Sequence, residues 1–482
     1  MQAISVLAYF FSLIFIIYSW RIAKPHLTQE GFALYQIPRS SWSITFPQQA
    51  KKKQYGYFLH ITDMHIDEQY KENATVKSAC HKVARKMTQS TAGKWGSPGQ
   101  KCDAPFELAE QTLGWISKEW LDKLDFVIWT GDNAKHNWDK KNNKRKRKDV
   151  YGLNQRTTDL MLDTFKDIPV IPSFGNNDVF PHNQMGGPDK DGDLLDFYGT
   201  LWNHWIPHSQ RSTFRQGGYF MIQVTPNMYV ISLNTMYFYN KNKAVQNCNR
   251  ASSPAHIQLK WLERQLSMAR MKNAKIYVTG HVPPSPRDYR NSCLSQFMRI
   301  ASDYTDVILG HFFAHLNMDH FLIFDGKRQE ISTQRDISAY TDWLYSMYQS
   351  IDINFISPPP LVVIQVAPSI LPVYYPTFRI YQYEVNQTDR LGHLLGYAQY
   401  YSNLTKWNSH DHLEYELEYT TQDAYHMPDL SVASYYNLAK AMVTNDPQQN
   451  ELWSLYREHM VIKTINFTDY DDDDDDGDSI VY

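Results

Sequence analysis

Five short motifs in this 482-residue chain carry the side chains that hard-metal chemistry needs. In order they are Asp63-x-His65, Gly131-Asp132, Gly175-Asn176, Gly280-His281 and His315-x-Asn317. Asp, Asn and His supply carboxylate, carbonyl and imidazole donors, a mix suited to divalent ions such as manganese, zinc, iron, magnesium or cobalt. A carboxylate can bridge two such ions, and a pair ~3.5–4 Å apart clamps the attacking and leaving oxygens of a phosphoryl displacement. Any one of these motifs could be a turn or a cap. Five in succession, three of them with a glycine that permits a tight turn, point to one shared two-ion centre.

Such motifs need a scaffold that delivers them to one place. The apolar run that begins at Phe58 and ends on Asp63-Met64-His65 reads as a buried strand. Runs at 124–130, 168–174, 275–279 and 306–309 precede the other four motifs in the same way. In α/β sheets the carboxyl ends of the strands look into the ligand crevice. Helical apolar spacing over 106–121, 157–166 and 255–271, a hairpin over 218–235 and strands at 361–366 and 377–384 complete an α/β body. The body is expected over 54–400, after an apolar segment at 1–20 and a Pro-punctuated stalk at 21–53. From about 405 the pattern is helical and polar, which predicts a helical extension over 401–468 and an acidic tail over 469–482.

Composition excludes a disordered chain: 43% of residues are hydrophobic, and the aromatics include 33 Tyr and 13 Trp. The formal net charge of -3 hides a basic run at 140–148 and an acidic one at 471–476. The four cysteines lack the spacing of a zinc ribbon and fall into two local pairs, Cys80 with Cys102 and Cys248 with Cys293, which suits two disulfides. Sequons at Asn73, Asn386, Asn403 and Asn466 agree with an oxidising compartment. Residues 3–20 are almost continuously apolar, near the minimum length of a membrane span. They read as an uncleaved signal anchor with the body on the lumenal side, a cleaved signal peptide being the alternative. Arg21 and Lys24 would favour the opposite orientation, but long domains translocate largely regardless of flanking charge.

The motif order resembles that of the calcineurin-like metallophosphoesterases: D-x-H, G-D, G-N-H-[DE], G-H and G-H-x-H. Within that superfamily Cys102-Asp103-Ala104-Pro105, Ala367-Pro368-Ser369 and Phe378-Arg379-Ile380-Tyr381 resemble the acid-sphingomyelinase-like branch. The stretches at 58–65, 175–183 and 315–321 look most like fungal endopolyphosphatases. The resemblance implies a four-layer αββα sandwich. It also implies one ion held by Asp63, His65, Asp132 and Asn317, and a second by Asp132, Asn176, His281 and His315. His136 falls where the family contacts the phosphate or the leaving oxygen. It further implies a vacuolar setting; with the signal anchor read above, the chain would be a single-pass membrane protein whose catalytic body is lumenal.

Two departures from the family pattern carry chemistry. Asn177 stands where the family has His, so it cannot act as a general acid, although its amide can donate to a phosphoryl oxygen. Asn317 replaces another His and offers a carbonyl oxygen, which tilts the first site toward harder ions such as manganese or magnesium. Past His136 the run Lys140, Lys141, Lys144, Arg145, Lys146, Arg147 and Lys148 offers a basic track at the rim of the site. Such a track suits a polyanion such as inorganic polyphosphate, through contacts that are blind to sequence. It gives no reason to expect a specific nucleic-acid partner, and oligomeric state is left open. The expected activity is therefore hydrolysis of internal phosphoanhydride bonds of polyphosphate. The alternatives are a phosphodiesterase of nucleotides or phospholipids, and an inactive polyphosphate binder.

Overall fold

The computed structural model describes residues 55–83, 91–136, 138, 144–325, 337–351, 361–444, 447 and 449–464. The chain divides into the units Met1–Thr45 and Phe46–Tyr482, and every described residue belongs to the second. The expected anchor and stalk, Lys140, Lys141, Asn466 and the acidic tail lie outside the described residues. Among the described residues no helix is long and apolar enough to cross a membrane.

Twelve strands among the described residues form two six-stranded sheets. The first runs in the order β12 (Glu416–Thr420), β11 (Leu394–Tyr401), β10 (Thr377–Glu384), β1 (Tyr55–Ile61), β2 (Phe126–Trp129) and β3 (Val170–Pro172). The second runs β4 (Phe220–Thr225), β5 (Met228–Ser232), β6 (Lys275–Thr279), β7 (Ile308–Phe313), β9 (Val362–Val366) and β8 (His320–Phe324). Strands β1, β2 and β3 are mutually parallel, as are β5, β6, β7 and β9. Parallel runs place the carboxyl ends of successive strands side by side, and the motifs sit at those ends.

The sheets pack face to face through aromatic side chains. Phe58 stacks on Phe126 and Tyr381 of its own sheet, each 4.8 Å away, and meets Tyr277 and Phe312 of the other at 5.6 and 5.3 Å. Strand alternation turns the neighbouring residues outward, where helices cover them. Phe378 and Tyr400 pack against Trp115 of the helix Phe106–Trp120, and Phe313 packs against Phe297 of the helix Asn291–Asp303. The layers are thus helix, sheet, sheet, helix, the expected αββα sandwich.

The structure corrects two expectations. The helix expected at 157–166 spans Arg147–Phe165, its start fixed by the Asp149 carboxylate, which accepts from the Lys146 amide at 3.0 Å. Its buried stripe includes Asn154, Thr157 and Thr158, so the apolar periodicity is interrupted and the first turns read as loop. The helical extension expected over 401–468 contains β12, which pairs with β11 and extends the first sheet. In the segment ELEYT only Tyr419 is buried, a strand alternation too short to stand out in a polar stretch.

Candidate metal centre

The five motifs converge because the carboxyl ends of β1, β2 and β3 meet those of β6 and β7. Asp63 donates its amide to the Gly131 carbonyl at 2.8 Å, and His65 to that of Asp132 at 3.0 Å. Across the sheets, His281 Nδ1 donates to the Thr130 carbonyl at 2.9 Å. Asp63, His65, Asp132, His315 and Asn317 all have positive φ, between 41° and 75°. Asp, Asn and His are the non-glycine side chains that tolerate this region best, and such conformations gather at functional sites. The two glycines of the first sheet serve close approach. A Cβ on Gly131 would lie 2.4 Å from the Ser173 carbonyl oxygen, and one on Gly175 only 2.2 Å from the Asp132 amide nitrogen.

Asp132 stands at the centre. Its Oδ2 is 3.3 Å from His65 Nε2 and 3.3 Å from His281 Nε2. His65 Nε2 lies 3.4 Å from Asp63 Oδ1, while His281 Nε2 lies 3.0 Å from Asn176 Oδ1 and 3.2 Å from His315 Nδ1. Two ligand groups result, Asp63-His65-Asp132 and Asp132-His281-His315, each with its donor atoms within 4.8 Å of one another, and they share Asp132. All these side chains are buried. His315 Nε2 and Asn317 Oδ1 are buried without a hydrogen-bond partner among the described residues. Buried polar atoms are ordinarily satisfied, so orphans gathered at a carboxylate-imidazole cluster fit metal ligation. The donor set therefore suits two divalent ions bridged by Asp132.

Burial alone would raise the Asp132 pKa, but His281 and His65 hold it well below the ordinary carboxylate range. Burial opposes charge on His281, yet Asp132 and Asp63 raise its pKa to about 9.

Three further residues position this centre. Asp178 is fully buried and accepts the amides of Asp132 (2.7 Å), Asn133 (2.8 Å) and Gly175 (3.0 Å), pinning the β2 and β3 loops together. Asn177 donates its backbone amide to Asp132 Oδ1 at 2.6 Å and its Nδ2 to Asp132 Oδ2 at 3.0 Å. Both amides of Asn177 are thus turned to the Asp132 carboxylate. Asp103 receives the His136 amide at 2.9 Å and lies 2.7 Å from His136 Nδ1. The His136 ring is held between His65 and Trp138, at 4.1 and 4.4 Å, near-parallel to both. Burial and His65 lower the His136 pKa, with Asp103 opposing them. Asp103 belongs to the Cys102-Asp103-Ala104-Pro105 motif, which marked it in the sequence without revealing its partner.

The remaining predicted residues fall as follows. Lys144, Lys146, Arg147 and Lys148 are exposed, the last two in the first turn of a helix rather than a loop. Arg145 is buried and donates to the Val179 carbonyl at 3.3 Å, close enough to Asp132 and Asp178 for their charge to oppose the lowering of its pKa by burial. Both cysteine pairs are joined, Cys80–Cys102 and Cys248–Cys293. Asn73 and Asn386 are exposed, while Asn403 is half-buried and caps the helix Leu404–Trp407.

Comparison with known proteins agrees with this geometry. Residues 56–316, more than half of the chain, match the calcineurin-like phosphoesterase family, and the chain belongs to it. Residues 349–467 match the acid sphingomyelin phosphodiesterase C-terminal region. Similar curated proteins are endopolyphosphatases. That of Cryptococcus neoformans is 31% identical over 69% of this chain and 59% of its own length. That of Debaryomyces hansenii is 39% identical over 57% of this chain and 39% of its own. That of Schizosaccharomyces pombe is 28% identical over 83% and 86%. The chain spans less than two thirds of the length of the first two.

Proposed function

We propose that the chain hydrolyses internal phosphoanhydride bonds of inorganic polyphosphate at a two-ion centre. The observation that carries this reading is the pair of buried ligand groups sharing Asp132. Similarity to endopolyphosphatases and the cations beside the centre supply the substrate. Asp63, His65, Asp132 and Asn317 would hold one ion, and Asp132, Asn176, His281 and His315 the other. Two divalent ions there would lower the pKa of water and neutralise phosphoryl charge. In the reaction a water oxygen bonds to phosphorus as it gives up a proton to solvent, and the bridging P–O bond breaks, its electron pair leaving with the departing phosphate oxygen. His136, fixed by Asp103, is placed to stabilise the phosphoryl or departing oxygen. Asn177 and Asp178 keep the bridging carboxylate in register.

The carbonyl of Asn317 favours manganese or magnesium in the first site. Two zinc ions retained after purification without added metal would contradict that assignment. The body is proposed to be lumenal, in the vacuole, and held to its membrane by residues 3–20. Two disulfides and the exposed sequon residues Asn73 and Asn386 support an oxidising, glycosylating compartment. A shift in gel mobility on endoglycosidase treatment, absent when Asn73, Asn386, Asn403 and Asn466 are all changed to Gln, tests it.

The match to the acid sphingomyelin phosphodiesterase C-terminal region favours a second reading, phosphodiester hydrolysis of nucleotides or lipids. Relative kcat/KM for long polyphosphate and for bis-p-nitrophenyl phosphate, measured with manganese, separates the two. Preference for polyphosphate is expected; preference for the diester would transfer the proposal to the second reading.

A further inference from the structure

An amide ligand must be turned the right way round, because its oxygen can hold a metal ion and its nitrogen cannot. Asn176 is buried and set between two imidazoles. Its Oδ1 lies 3.0 Å from Nε2 of His281, a member of the second ligand group, and its Nδ2 lies 3.2 Å from Nε2 of His182. Nδ2 has only protons to give, so His182 Nε2 is the acceptor. His182 belongs to none of the five motifs and is exposed, six residues past Asn176. The loop between them is built to bring it back. Asn183 donates its amide to the Asn176 carbonyl at 3.2 Å, at a φ of 63° that Asn tolerates. Gln184 donates its amide to the Pro181 carbonyl at 3.0 Å and its side chain to the Lys241 carbonyl at 3.0 Å. Asn242 Nδ2 donates to the Met185 carbonyl at 2.8 Å, and the Tyr198 hydroxyl to the Asp178 carbonyl at 2.6 Å. None of these contacts uses the His182 ring. The backbone is anchored at both ends of the loop, and the imidazole is left to meet the Asn176 amide.

We propose that His182 is a positioning residue of the second ion site: it accepts from Asn176 Nδ2 and so holds Oδ1 toward the ion. Without that acceptor the amide is free to turn over and offer Nδ2, which cannot ligate. Groups that orient a ligand in this way set metal affinity although they never touch the metal. The inference rests on the two-ion reading above and adds to it the group that fixes one ligand.

The test is manganese binding rather than turnover. The parent protein, His182→Ala and His182→Gln are each titrated with manganese while electron paramagnetic resonance follows the free ion, and the two binding steps are fitted separately. In His182→Ala one step is expected to weaken about tenfold while the other keeps the parent affinity. His182→Gln carries a carbonyl that can accept from the same Nδ2, and should recover most of the loss. Parent affinity for both ions in His182→Ala overturns the assignment. So does an equal loss in the two variants, in one step or in both. Direct ligation by His182, or a disturbed loop reaching Asp132 through Asn177, would then be at work instead of an accepted hydrogen bond. A parent protein that binds a single manganese ion would overturn the two-ion reading, and the positioning role with it.

Discussion

At the scale of single residues, the centre depends on one carboxylate held from several directions. Asp132 faces His65 and His281 and accepts two hydrogen bonds from Asn177. Removing the Asn177 amide should loosen that carboxylate without touching a ligand. Asn177→Ala is expected to weaken metal binding about 10–100-fold, as for other residues that orient ligands. Titration with manganese followed by electron paramagnetic resonance would show it, and an affinity equal to the parent's would refute the assignment. Asp103 acts through His136. Asp103→Asn should lower kcat about 10²-fold, with a smaller change in KM and a shifted pH-rate profile. A loss of folding stability with an unaltered profile would make Asp103 merely structural. The candidate ligands were legible because each ends a strand in a motif with glycine or a paired donor. Asp178 and Asp103 were not assigned roles from sequence. A carboxylate that collects backbone amides looks like any other Asp until the loops it collects are folded together. The burial of Arg145 was equally hidden inside a run of seven cations.

At the scale of elements, the C-terminal strands hold the metal loops from behind. Leu371 donates its amide to the Asp63 carbonyl at 2.8 Å, which gives the Ala367-Pro368-Ser369 motif a neighbour in the centre. Asp319, two residues past Asn317, pairs with the buried Arg379 of β10 and accepts from Gln399 of β11 at 2.8 Å and from Tyr419 of β12. Asp319→Ala would leave a buried guanidinium uncompensated and should destabilise the fold by about 3–5 kcal/mol. Urea denaturation measures it, and a loss under about 1 kcal/mol would show that the pair holds little. The Cys80–Cys102 disulfide closes a short loop next to Asp103. Cys102→Ser/Cys80→Ser is expected to cost about 3 kcal/mol on the chain-entropy account. The strands that bear motifs were readable as apolar runs, whereas β8, β11 and β12 were not. β11, Leu394–Tyr401, carries polar and aromatic residues without clean alternation, and its place is fixed by pairing with β10.

At the scale of the whole molecule, one half-buried acid, Glu418, links stability to pH. Burial pushes the Glu418 pKa up to about 8, with Gln399 opposing and Asp319 adding to the rise. The folded state therefore binds more protons than the unfolded state between the ordinary glutamate value of 4.5 and about 8. The stabilising contribution is full below the lower value and is lost as pH rises through the upper one. Melting temperature should fall from about pH 5 to about pH 8, and Glu418→Gln should flatten that fall. Identical slopes for parent and variant would remove Glu418 from the account. Greater stability in acid would also suit the proposed vacuolar lumen.

The central claim joins the Asp132 bridge to cleavage inside polyphosphate. It is tested most directly by resolving, over time on a gel, the products of long-chain polyphosphate incubated with manganese and either the parent protein or Asp132→Asn. The account predicts intermediate lengths early in the parent reaction and intact substrate with Asp132→Asn. Intermediate products from both proteins, or orthophosphate alone from the parent, would contradict it.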